Sequence, residues 1–593
     1  MKAIWMIPAL LLLAACADSD YRSPAPIPLA DEASLRELDS GRVRGFINES
    51  GGHSWLGIPY AAPPVGELRW RAPRSVAAWT DTRDALQAGS PCIQFGSPLG
   101  GVGTPGSRQG SENCLYLNVH APLVSEPRET SLPVMVWIHG GGNTVGHAAF
   151  WGGSLLAARE NIVLVTINYR LGPFGWFAVP ASADDTPEDR SGNYGTLDTI
   201  EALRWVKRNA RAFGGDPNNV TVFGESAGGT NALALLIAPD AAGLFDRVII
   251  QSLGFGFTQP EEGTPQRATD RALQQALQRT TTNVATLDEN LLDDEARAAL
   301  LRSLDPWELY ASYGRATGDI DRIPTVYQDG TVLRRGALLS LLADPATHHD
   351  VPVILGTNRD EPKIFMAFDP RHVRRAFGLP IGLRDPLAYE REANLRSLLW
   401  KADGVDALAS VLSQHGAPAW AYRWDWDEQG TAFGLVDLSK IVGAAHGLEI
   451  PFVLGHFDLG PQSSLLFNER NAPGRLDLTR RMMAYWAEFA RSGNPGNGGI
   501  SDSPQWLAWS DAPQAERLII FDTPAGGGIR LSTERVLRAD VVRIIEQEIP
   551  PGELRCAAFR STFRNRIDPE ADVFWDEFKQ SSNCTGPRLA LAR

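Results

Sequence analysis

One short segment constrains the fold of this chain more than any other. Residues 219–223 (N-V-T-V-F) are rich in β-branched and aromatic side chains, which predicts a buried strand. A helical pattern runs from Ala227 to Ile237, so very few residues remain to turn the chain between the two elements. Such a sharp turn needs glycines, which let neighbouring backbone come close. We therefore predict a strained turn that exposes the Ser226 hydroxyl above the edge of a sheet.

The turn itself, residues 224–228 (G-E-S-A-G), matches the pattern G-x-S-x-G. The pattern alone is weak, because glycine is common here, with 57 among 593 residues. The strand before it and the helix after it strengthen the match, since the pattern has its chemical meaning only in that context. The start of a helix also supplies unpaired N–H groups and a dipole that favour negative charge. Ser226 is thus a candidate nucleophile.

From about residue 133, strand-like and helical patterns alternate, which predicts an α/β domain around one mostly parallel sheet. The strand-like runs are residues 134–138, 162–167, 248–250, 351–355 and, more weakly, 422–426. Most of these runs are continuously apolar, as expected for strands covered on both faces. Residues 255–345 and 366–415 lack strong strand patterns and predict helical insertions. In such a fold these insertions would wall a site at the carboxyl ends of the strands.

A glycine-rich segment, residues 139–142 (H-G-G-G), directly follows the strand-like run that ends at Ile138. Three glycines in a loop after a strand let backbone N–H groups approach a substrate oxygen, as an oxyanion hole requires. The segment also lies upstream of the G-x-S-x-G turn, where α/β-hydrolases carry such a loop. Together the two motifs are much more specific than either one.

Motifs along most of the chain resemble those of the type-B carboxylesterases, the cholinesterase-like branch of the α/β-hydrolases. The matching segments are residues 111–119, 168–172, 195–198, 214–217, 224–229, 251–252, 356–361 and 443–449. The resemblance extends from about residue 41 to residue 525. It implies an α/β-hydrolase fold, with a central mostly parallel sheet flanked by helices and helical insertions, and it implies a serine esterase.

The resemblance assigns the three catalytic roles to Ser226 as nucleophile, His446 as base and Glu361 as acid. Their order in the chain, serine then acid then histidine, is that of the α/β-hydrolases. The chemistry agrees, because a serine hydroxyl is a poor nucleophile at neutral pH and needs an adjacent base such as imidazole. A buried carboxylate then fixes the imidazole tautomer and stabilises its cation.

The resemblance also implies an oxyanion hole made of the backbone N–H groups of Gly141, Gly142 and Ala227. One departure from the family pattern lies beside it, since Asn143 follows the glycine loop where an aromatic residue is common. We therefore expect the acyl or alcohol pocket to differ from that of relatives.

A second departure concerns the acid, because Pro362 follows Glu361 where the family has glycine. A proline disfavours helical backbone in the residue before it, which predicts that Glu361 is extended or in a turn. Asp360 is the nearest substitute acid. Adjacent side chains of an extended segment face opposite ways, so only one of the two can serve, and we expect Glu361 to be that one.

Further polar residues match structural features of the family. Arg69 with Glu112, and Arg170 with Asp198, resemble its buried ion pairs. Such pairs are structural, since loss of one partner leaves an uncompensated interior charge. Asn113 stands where the family has aspartate, and we expect this change to be harmless.

The N-terminus has the features of a signal peptide, with Lys2 followed by an apolar stretch over residues 3–13. Residues 13–16 (L-A-A-C) resemble the lipobox of bacterial lipoproteins, in which cleavage precedes the cysteine and its thiol is acylated. Ala17 is similar to the outer-membrane version of this signal. We expect a lipoprotein anchored through Cys16 in the outer membrane, facing the periplasm or the cell surface. The alternative is a soluble exported protein with an incidental cysteine.

The chain has five cysteines, and four remain when Cys16 is set aside. An even number in an oxidising compartment predicts disulfides. Pairing of nearest neighbours gives Cys92–Cys114 and Cys556–Cys584, while two other connectivities remain possible. The first pair also matches the first disulfide of the family.

These patterns divide the chain into a signal peptide (1–15), a lipid-anchored tether (16–40), a catalytic domain (41–548) and a C-terminal extension with a predicted disulfide (549–593). The net charge of −14 argues against a nucleic acid or an anionic lipid surface as partner. No motif indicates a cofactor or a metal. The leading hypothesis is hydrolysis of a small-molecule carboxylic ester. The alternatives are a non-catalytic binding protein, or a lipase or amidase, on the same scaffold.

Overall fold

A central sheet of eleven strands organises the molecule. The computed structural model describes residues 26–97, 102–123, 131–182, 184–254, 257, 273–274, 292–312, 326–376, 379–432, 435–460, 463–564 and 569–585. The strands of this sheet are β1 (Phe46–Ile47), β2 (His53–Pro59), β3 (Tyr116–Ala121), β4 (Leu132–Ile138), β5 (Val163–Ile167), β6 (Gly215–Glu225), β7 (Arg247–Gln251), β8 (Val353–Asn358), β9 (Ala419–Trp424), β10 (Leu518–Phe521) and β11 (Arg530–Ser532).

The strands lie in the order β11-β10-β9-β8-β7-β6-β4-β5-β3-β2-β1. The seven neighbours from β10 to β5 run parallel, and antiparallel strands close both edges. Every residue of β4, β5 and β8 is buried. This explains the apolar runs within these segments, and the parallel pairing confirms the mostly parallel sheet expected from the sequence.

Helices cover both faces of the sheet. They are α1 (Ser154–Glu160), α2 (Gly172–Gly175), α3 (Tyr194–Asn209), α4 (Ala227–Leu236), α5 (Asp294–Ser303), α6 (Pro306–Ser312), α7 (Leu338–Ala343), α8 (Lys363–Met366), α9 (Pro386–Lys401), α10 (Ala407–His415), α11 (Leu438–Ile441), α12 (Ile450–Leu454), α13 (Ser463–Leu466), α14 (Ala472–Ser492), α15 (Arg538–Glu548), α16 (Glu553–Thr562) and α17 (Pro569–Ser582). Successive side chains of β4 face opposite ways, so Val134 and Val136 join one apolar core whereas Met135 and Trp137 join the other.

The register of the sheet brings the two glycine-rich motifs together. Strand β4 lies next to β6, and Ile138 at the end of β4 pairs with Gly224 near the end of β6. Glu225 pairs in turn with Gln251, at the end of β7. Because these strands are parallel, the glycine loop after β4 and the serine turn after β6 emerge at the same edge of the sheet.

The structure corrects the expected extent of the tether and the expected helical content of one insertion. The strand Arg36–Leu38 pairs with Gly41–Arg44, so ordered structure begins within the segment expected to be a tether. Within residues 366–415, expected to be helical, the segments Val373–Ala376 and Leu379–Leu383 form an antiparallel hairpin before α9. Both elements are short, and their pairing, rather than an apolar period, makes them strands. The described parts of 255–345 are helical at α5, α6 and α7.

Covalent and ionic links brace the scaffold. Disulfides join Cys92 to Cys114 and Cys556 to Cys584, which is the nearest-neighbour pairing. The two expected ion pairs are also present, with shortest hydrogen bonds of 2.6 Å from Arg69 to Glu112 and 2.7 Å from Arg170 to Asp198. Each guanidinium donates to both oxygens of its carboxylate. These contacts hold loops beside the sheet.

The C-terminal helices form a core of their own. Side chains of α15, α16 and α17 pack together around the second disulfide and against Leu395 of α9. A five-residue π-helical turn, Ala402–Asp406, joins α9 to α10 at this interface. The C-terminal extension thus begins with α15, earlier than the boundary expected at residue 549. Within the described segments, no helix combines the length and the apolar character needed to cross a membrane.

Candidate active site

Ser226 lies in a strained turn between β6 and α4. Its backbone has φ 57° and ψ −121°, a conformation that non-glycine residues rarely adopt. The flanking glycines are required by close contacts, because a Cβ atom on Gly228 would lie 2.0 Å from the carbonyl oxygen of Ile138. A Cβ atom on Gly224 would lie 2.5 Å from the Gly228 backbone. The strain is therefore held by packing, and Ser226 keeps 8% of its surface exposed.

The glycine loop touches this turn. A Cβ atom on Gly140 would lie 3.1 Å from Cβ of Ser226, so the loop and the serine are in van der Waals contact. Gly141 and Gly142 have φ values of 96° and 62°, in the region where glycine is favoured. Within the described part of the chain, the N–H groups of Gly141, Gly142 and Ala227 donate no hydrogen bond to protein. These groups can therefore receive a ligand oxygen.

His446 and Glu361 are in direct contact. The Oε2 atom of Glu361 lies 2.6 Å from Nδ1 of His446. The other oxygen of Glu361 accepts hydrogen bonds from the Thr357 hydroxyl at 2.8 Å and from the Asn358 N–H at 2.7 Å. Glu361 has no exposed surface, so these bonds fix the carboxylate and, through it, the imidazole. Nε2 of His446 has no partner in hydrogen-bonding geometry in the described structure, although a carboxylate oxygen of Glu225 lies near it.

Asp360, the alternative candidate for the acid, contacts other partners than His446. Its Oδ2 atom accepts from the Ala444 N–H at 3.0 Å and pairs with Arg359 at 2.8 Å. Its Oδ1 atom lies 3.2 Å from Nζ of Lys363. Burial raises the pKa of Asp360, but the charges of Lys363 and Arg359 outweigh it and leave that pKa below its usual range. Asp360 thus anchors the loop before His446, and the imidazole meets Glu361 instead.

Glu225 is a site residue that the sequence analysis missed. It directly precedes Ser226, and its Oε1 atom lies 3.2 Å from Nε2 of His446. Burial raises the pKa of Glu225 well above its usual range, although the imidazole opposes the shift. For His446, burial alone would lower the pKa, but the carboxylates of Glu225 and Glu361 outweigh it and raise that pKa to about 9. An acidic residue at the end of a buried strand was the signal available in the sequence.

Glu449 extends this buried acidic group. Its carboxylate accepts hydrogen bonds from Nδ2 of Asn358 at 2.6 Å and from Nε2 of Gln251 at 3.3 Å. Burial, followed by the charge of Glu361, raises the pKa of Glu449 to about 7. Asn358 therefore bridges two acids, since its N–H binds Glu361 and its side chain binds Glu449. The spacing of three residues after His446 was the sequence signal for Glu449.

Two aromatic rings flank the imidazole of His446. The ring centroid of Trp400 lies 4.9 Å from it and that of Phe365 lies 5.5 Å from it. These residues come from α9 and α8, which belong to the insertions after β8. The imidazole of His446 therefore packs against aromatic side chains as well as carboxylates. Among the described residues there is no cluster of three or more side chains that could hold a metal ion.

The fold and this arrangement define the class of protein. A mostly parallel sheet with a serine at a sharp turn after β6, a glycine loop after β4 and a histidine–carboxylate pair at the same edge is an α/β-hydrolase. The model of the carboxylesterase family matches residues 32–377 and 389–530. The chain belongs to this family and is a carboxylesterase.

Individual relatives agree with this assignment. The para-nitrobenzyl esterase of Bacillus subtilis (strain 168) is 35% identical over 507 residues, which cover 82% of this chain and 94% of the relative. A cocaine esterase of Oryctolagus cuniculus is 34% identical and covers 80% of this chain and 90% of its own. Among solved structures, a PNB esterase has a TM-score of 0.63 at 30% identity, covering 84% of this chain and 97% of that chain. The carboxylesterase of Geobacillus stearothermophilus gives 0.64 at 29% identity, covering 84% and 98%.

Proposed function

We propose that this carboxylesterase hydrolyses small-molecule esters through an acyl-enzyme on Ser226. The Ser226 hydroxyl attacks the ester carbonyl while His446 takes its proton on Nε2. The resulting oxyanion accepts hydrogen bonds from the N–H groups of Gly141, Gly142 and Ala227. When the C–O bond breaks, His446 returns the proton to the departing alkoxide, and an alcohol leaves. Water then attacks the acyl-enzyme by the same route, which releases the acid and restores Ser226.

The observation that carries this proposal is the contact of 2.6 Å between Glu361 and His446 at the edge where Ser226 turns. The bond fixes the tautomer that leaves Nε2 able to accept a proton, and the carboxylate stabilises the imidazolium that forms. The free N–H groups around Ser226 supply the second requirement, which is stabilisation of charge in the transition state. The rival role for the scaffold, binding without catalysis, would need neither feature.

The direct test is covalent labelling. A fluorophosphonate probe should label wild-type protein at Ser226, identified by mass spectrometry of the labelled peptide. Ser226→Ala should fold normally, take up no probe and lose ester hydrolysis. Labelling at another serine, or near-normal turnover by Ser226→Ala, would contradict the assignment.

The substrate range can be examined with the same protein. Relatives are named as para-nitrobenzyl, cocaine and fumonisin B1 esterases, so aryl and benzyl esters of small acids are the first substrates to compare. A series of p-nitrophenyl esters with increasing acyl length separates a short-chain esterase from a lipase. An anilide with the same acyl group tests amidase activity. We expect esters to be hydrolysed far faster than the anilide.

We also propose that the enzyme is attached to the outer membrane through an acylated Cys16. The support is the lipobox-like segment 13–16 after an apolar stretch, which lies outside the described residues. Full-length protein made in a bacterial host with lipoprotein processing should partition into detergent, whereas Cys16→Ala should remain in the aqueous phase or unprocessed. Aqueous partition of both forms would contradict the proposal.

A further inference from the structure

The proposed oxyanion hole is assembled from two separate segments. Gly141 and Gly142 belong to the loop after β4, whereas Ala227 is the first residue of α4. An oxyanion hole stabilises charge only when its donors are held at fixed positions before the reaction starts. Something must therefore hold the loop against the helix.

A buried hydrogen bond makes this link directly. Nδ2 of Asn231, in the second turn of α4, donates to Oδ1 of Asn143 at 2.9 Å. Asn143 is 5% exposed and Asn231 is 2% exposed, so solvent competes little for the bond. Oδ1 of Asn231 has no hydrogen-bond partner in the described structure. The side chain of Asn143 thus points toward α4. At the position where an aromatic residue is common in the family, this chain has an asparagine that accepts a hydrogen bond from α4.

The backbone of Asn143 suits the same task. Its φ is 57°, which continues the positive φ values of Gly141 and Gly142. Asparagine tolerates this region better than aromatic or β-branched residues do, because its short polar side chain can form local hydrogen bonds. The carbonyl oxygen of Asn143 accepts from the Gly172 N–H at 2.7 Å, which ties the end of the loop to α2.

Tyr169 secures the other end of the glycine loop. Its hydroxyl donates to the carbonyl oxygen of His139 at 2.6 Å and lies 3.3 Å from Oδ1 of Asn143. The rings of Tyr169 and His139 stack with centroids 4.5 Å apart. The loop is therefore held at its first residue by Tyr169 and after its last glycine by Asn231.

We propose that Asn143 and Asn231 are positioning residues that hold the N–H groups of Gly141 and Gly142 in register with that of Ala227. The proposal rests on the acyl-enzyme mechanism described above and deepens it. The asparagine pair acts through the backbone and touches no substrate atom. Its loss should therefore weaken binding of the transition state and leave binding of the ground-state ester nearly unchanged.

Asn231→Leu is the central variant, because leucine has the same branched arrangement of side-chain heavy atoms, favours the helix and cannot donate a hydrogen bond. We expect kcat to fall about tenfold to a hundredfold, which does not exceed the decrease in kcat caused by removing one oxyanion donor. KM should change less than about threefold. An aryl trifluoromethyl ketone, which forms a tetrahedral oxyanion on the serine, should bind more weakly by the same factor as kcat/KM.

Asn209→Leu is the matched control. Asn209 is also a buried asparagine at 3% exposure, but its amide donates to Asp39 and to the carbonyl oxygen of Trp205, at the end of α3. This variant should lose thermal stability while keeping kcat and the affinity for the ketone. A merely structural role of Asn231 predicts the same pattern for Asn231→Leu, and that result would overturn the proposal.

Tyr169→Phe provides a second variant should Asn231→Leu fail to fold. It removes the hydroxyl from the other end of the loop and should lower kcat and ketone affinity in parallel, by about threefold to tenfold. Unchanged kcat and unchanged ketone affinity in Tyr169→Phe would also contradict the proposal that the glycine loop is held in place. The mechanism itself is judged separately by fluorophosphonate labelling of wild-type Ser226. If the probe labels wild-type Ser226 but the variants stay fully active, the positioning role is rejected and the acyl-enzyme mechanism is not.

Discussion

The Oε1 atom of Glu225 lies 3.2 Å from Nε2 of His446, the ring nitrogen that Glu361 does not occupy. The imidazole is therefore placed between two buried carboxylates, one on each nitrogen. Glu361 fixes the orientation of the ring, since it is itself held by Thr357 and Asn358. Oε1 of Glu225 has no hydrogen-bond partner among the residues that the structure describes, so its main effect on His446 is electrostatic.

The first prediction concerns the pH dependence of activity. In the proposed mechanism His446 accepts a proton only when it is unprotonated, so kcat/KM should rise as pH rises through its pKa. Burial lowers this pKa, but Glu225 and Glu361 outweigh it and raise it to about 9. Burial favours the neutral form of Glu225, whereas the positive imidazole favours the carboxylate. To the extent that Glu225 is ionised, Glu225→Gln removes its negative charge, so the pKa of His446 should fall and the acidic limb should move to lower pH, by up to about one unit.

The measurement is a profile of kcat/KM against pH for both proteins. Glu553→Gln is a suitable control, because Glu553 lies in an exposed ion pair with Arg560 in the C-terminal helices. The control should keep the wild-type profile. An acidic limb of Glu225→Gln that stays in place, or moves to higher pH, would contradict the electrostatic role of Glu225.

The second prediction separates the two neighbouring acids. Glu361→Gln should lower kcat by roughly 10³–10⁴-fold, because the amide no longer fixes the required tautomer or stabilises the imidazolium. Asp360→Asn should cost less than about tenfold, since its remaining oxygen still accepts from the Ala444 N–H. Steady-state kinetics with one p-nitrophenyl ester decides between them. The reverse ranking would move the acid to Asp360.

The third prediction concerns the C-terminal disulfide. Cys556 and Cys584 are 28 residues apart, and their bond closes a loop around the aromatic core of α16 and α17. Replacing both with alanine should destabilise these helices by roughly 3 kcal/mol, chiefly by freeing the unfolded chain. Limited proteolysis should then cut first within residues 550–585. Val573→Ala, at a position 64% exposed, should behave as wild type. Equal protease resistance of all three proteins would contradict the expected role of the bond.

Burial explains which parts of the fold could be predicted from the sequence. Strands β4, β5 and β8 are covered on both faces, so their apolar runs gave the sheet and its carboxyl edge. The hairpin at Val373–Ala376 and Leu379–Leu383 was missed because partner strands, rather than a repeating apolar pattern, determine it. The strand Arg36–Leu38 was missed for the same reason.

The candidate site divides in a similar way. Motifs pointed to Ser226 and the glycine loop because local backbone geometry demands glycine at fixed spacings. The contact between Glu225 and His446 was not predictable, since it depends on how the loop before α12 folds back over β6. The bond from Asn231 to Asn143 is of the same kind, because no local pattern requires an asparagine at either position.

The last prediction tests the buried ion pair at the junction between α9 and the C-terminal helices. Nζ of Lys401 lies 2.6 Å from Asp406, and both side chains are almost completely buried. Lys401→Met should destabilise the fold by about 3–5 kcal/mol, because it leaves the Asp406 carboxylate buried without a cation. Adding Asp406→Asn should restore most of that loss, since the charge is removed while an oxygen still accepts from the Val536 N–H. Thermal unfolding midpoints should therefore rank wild type, double variant, single variant. The exposed pair of Lys440 and Asp437 offers a control, and Lys440→Met should leave the midpoint almost unchanged. A double variant less stable than Lys401→Met would contradict this prediction. It would show that the pair contributes more to stability than the cancellation of its two charges.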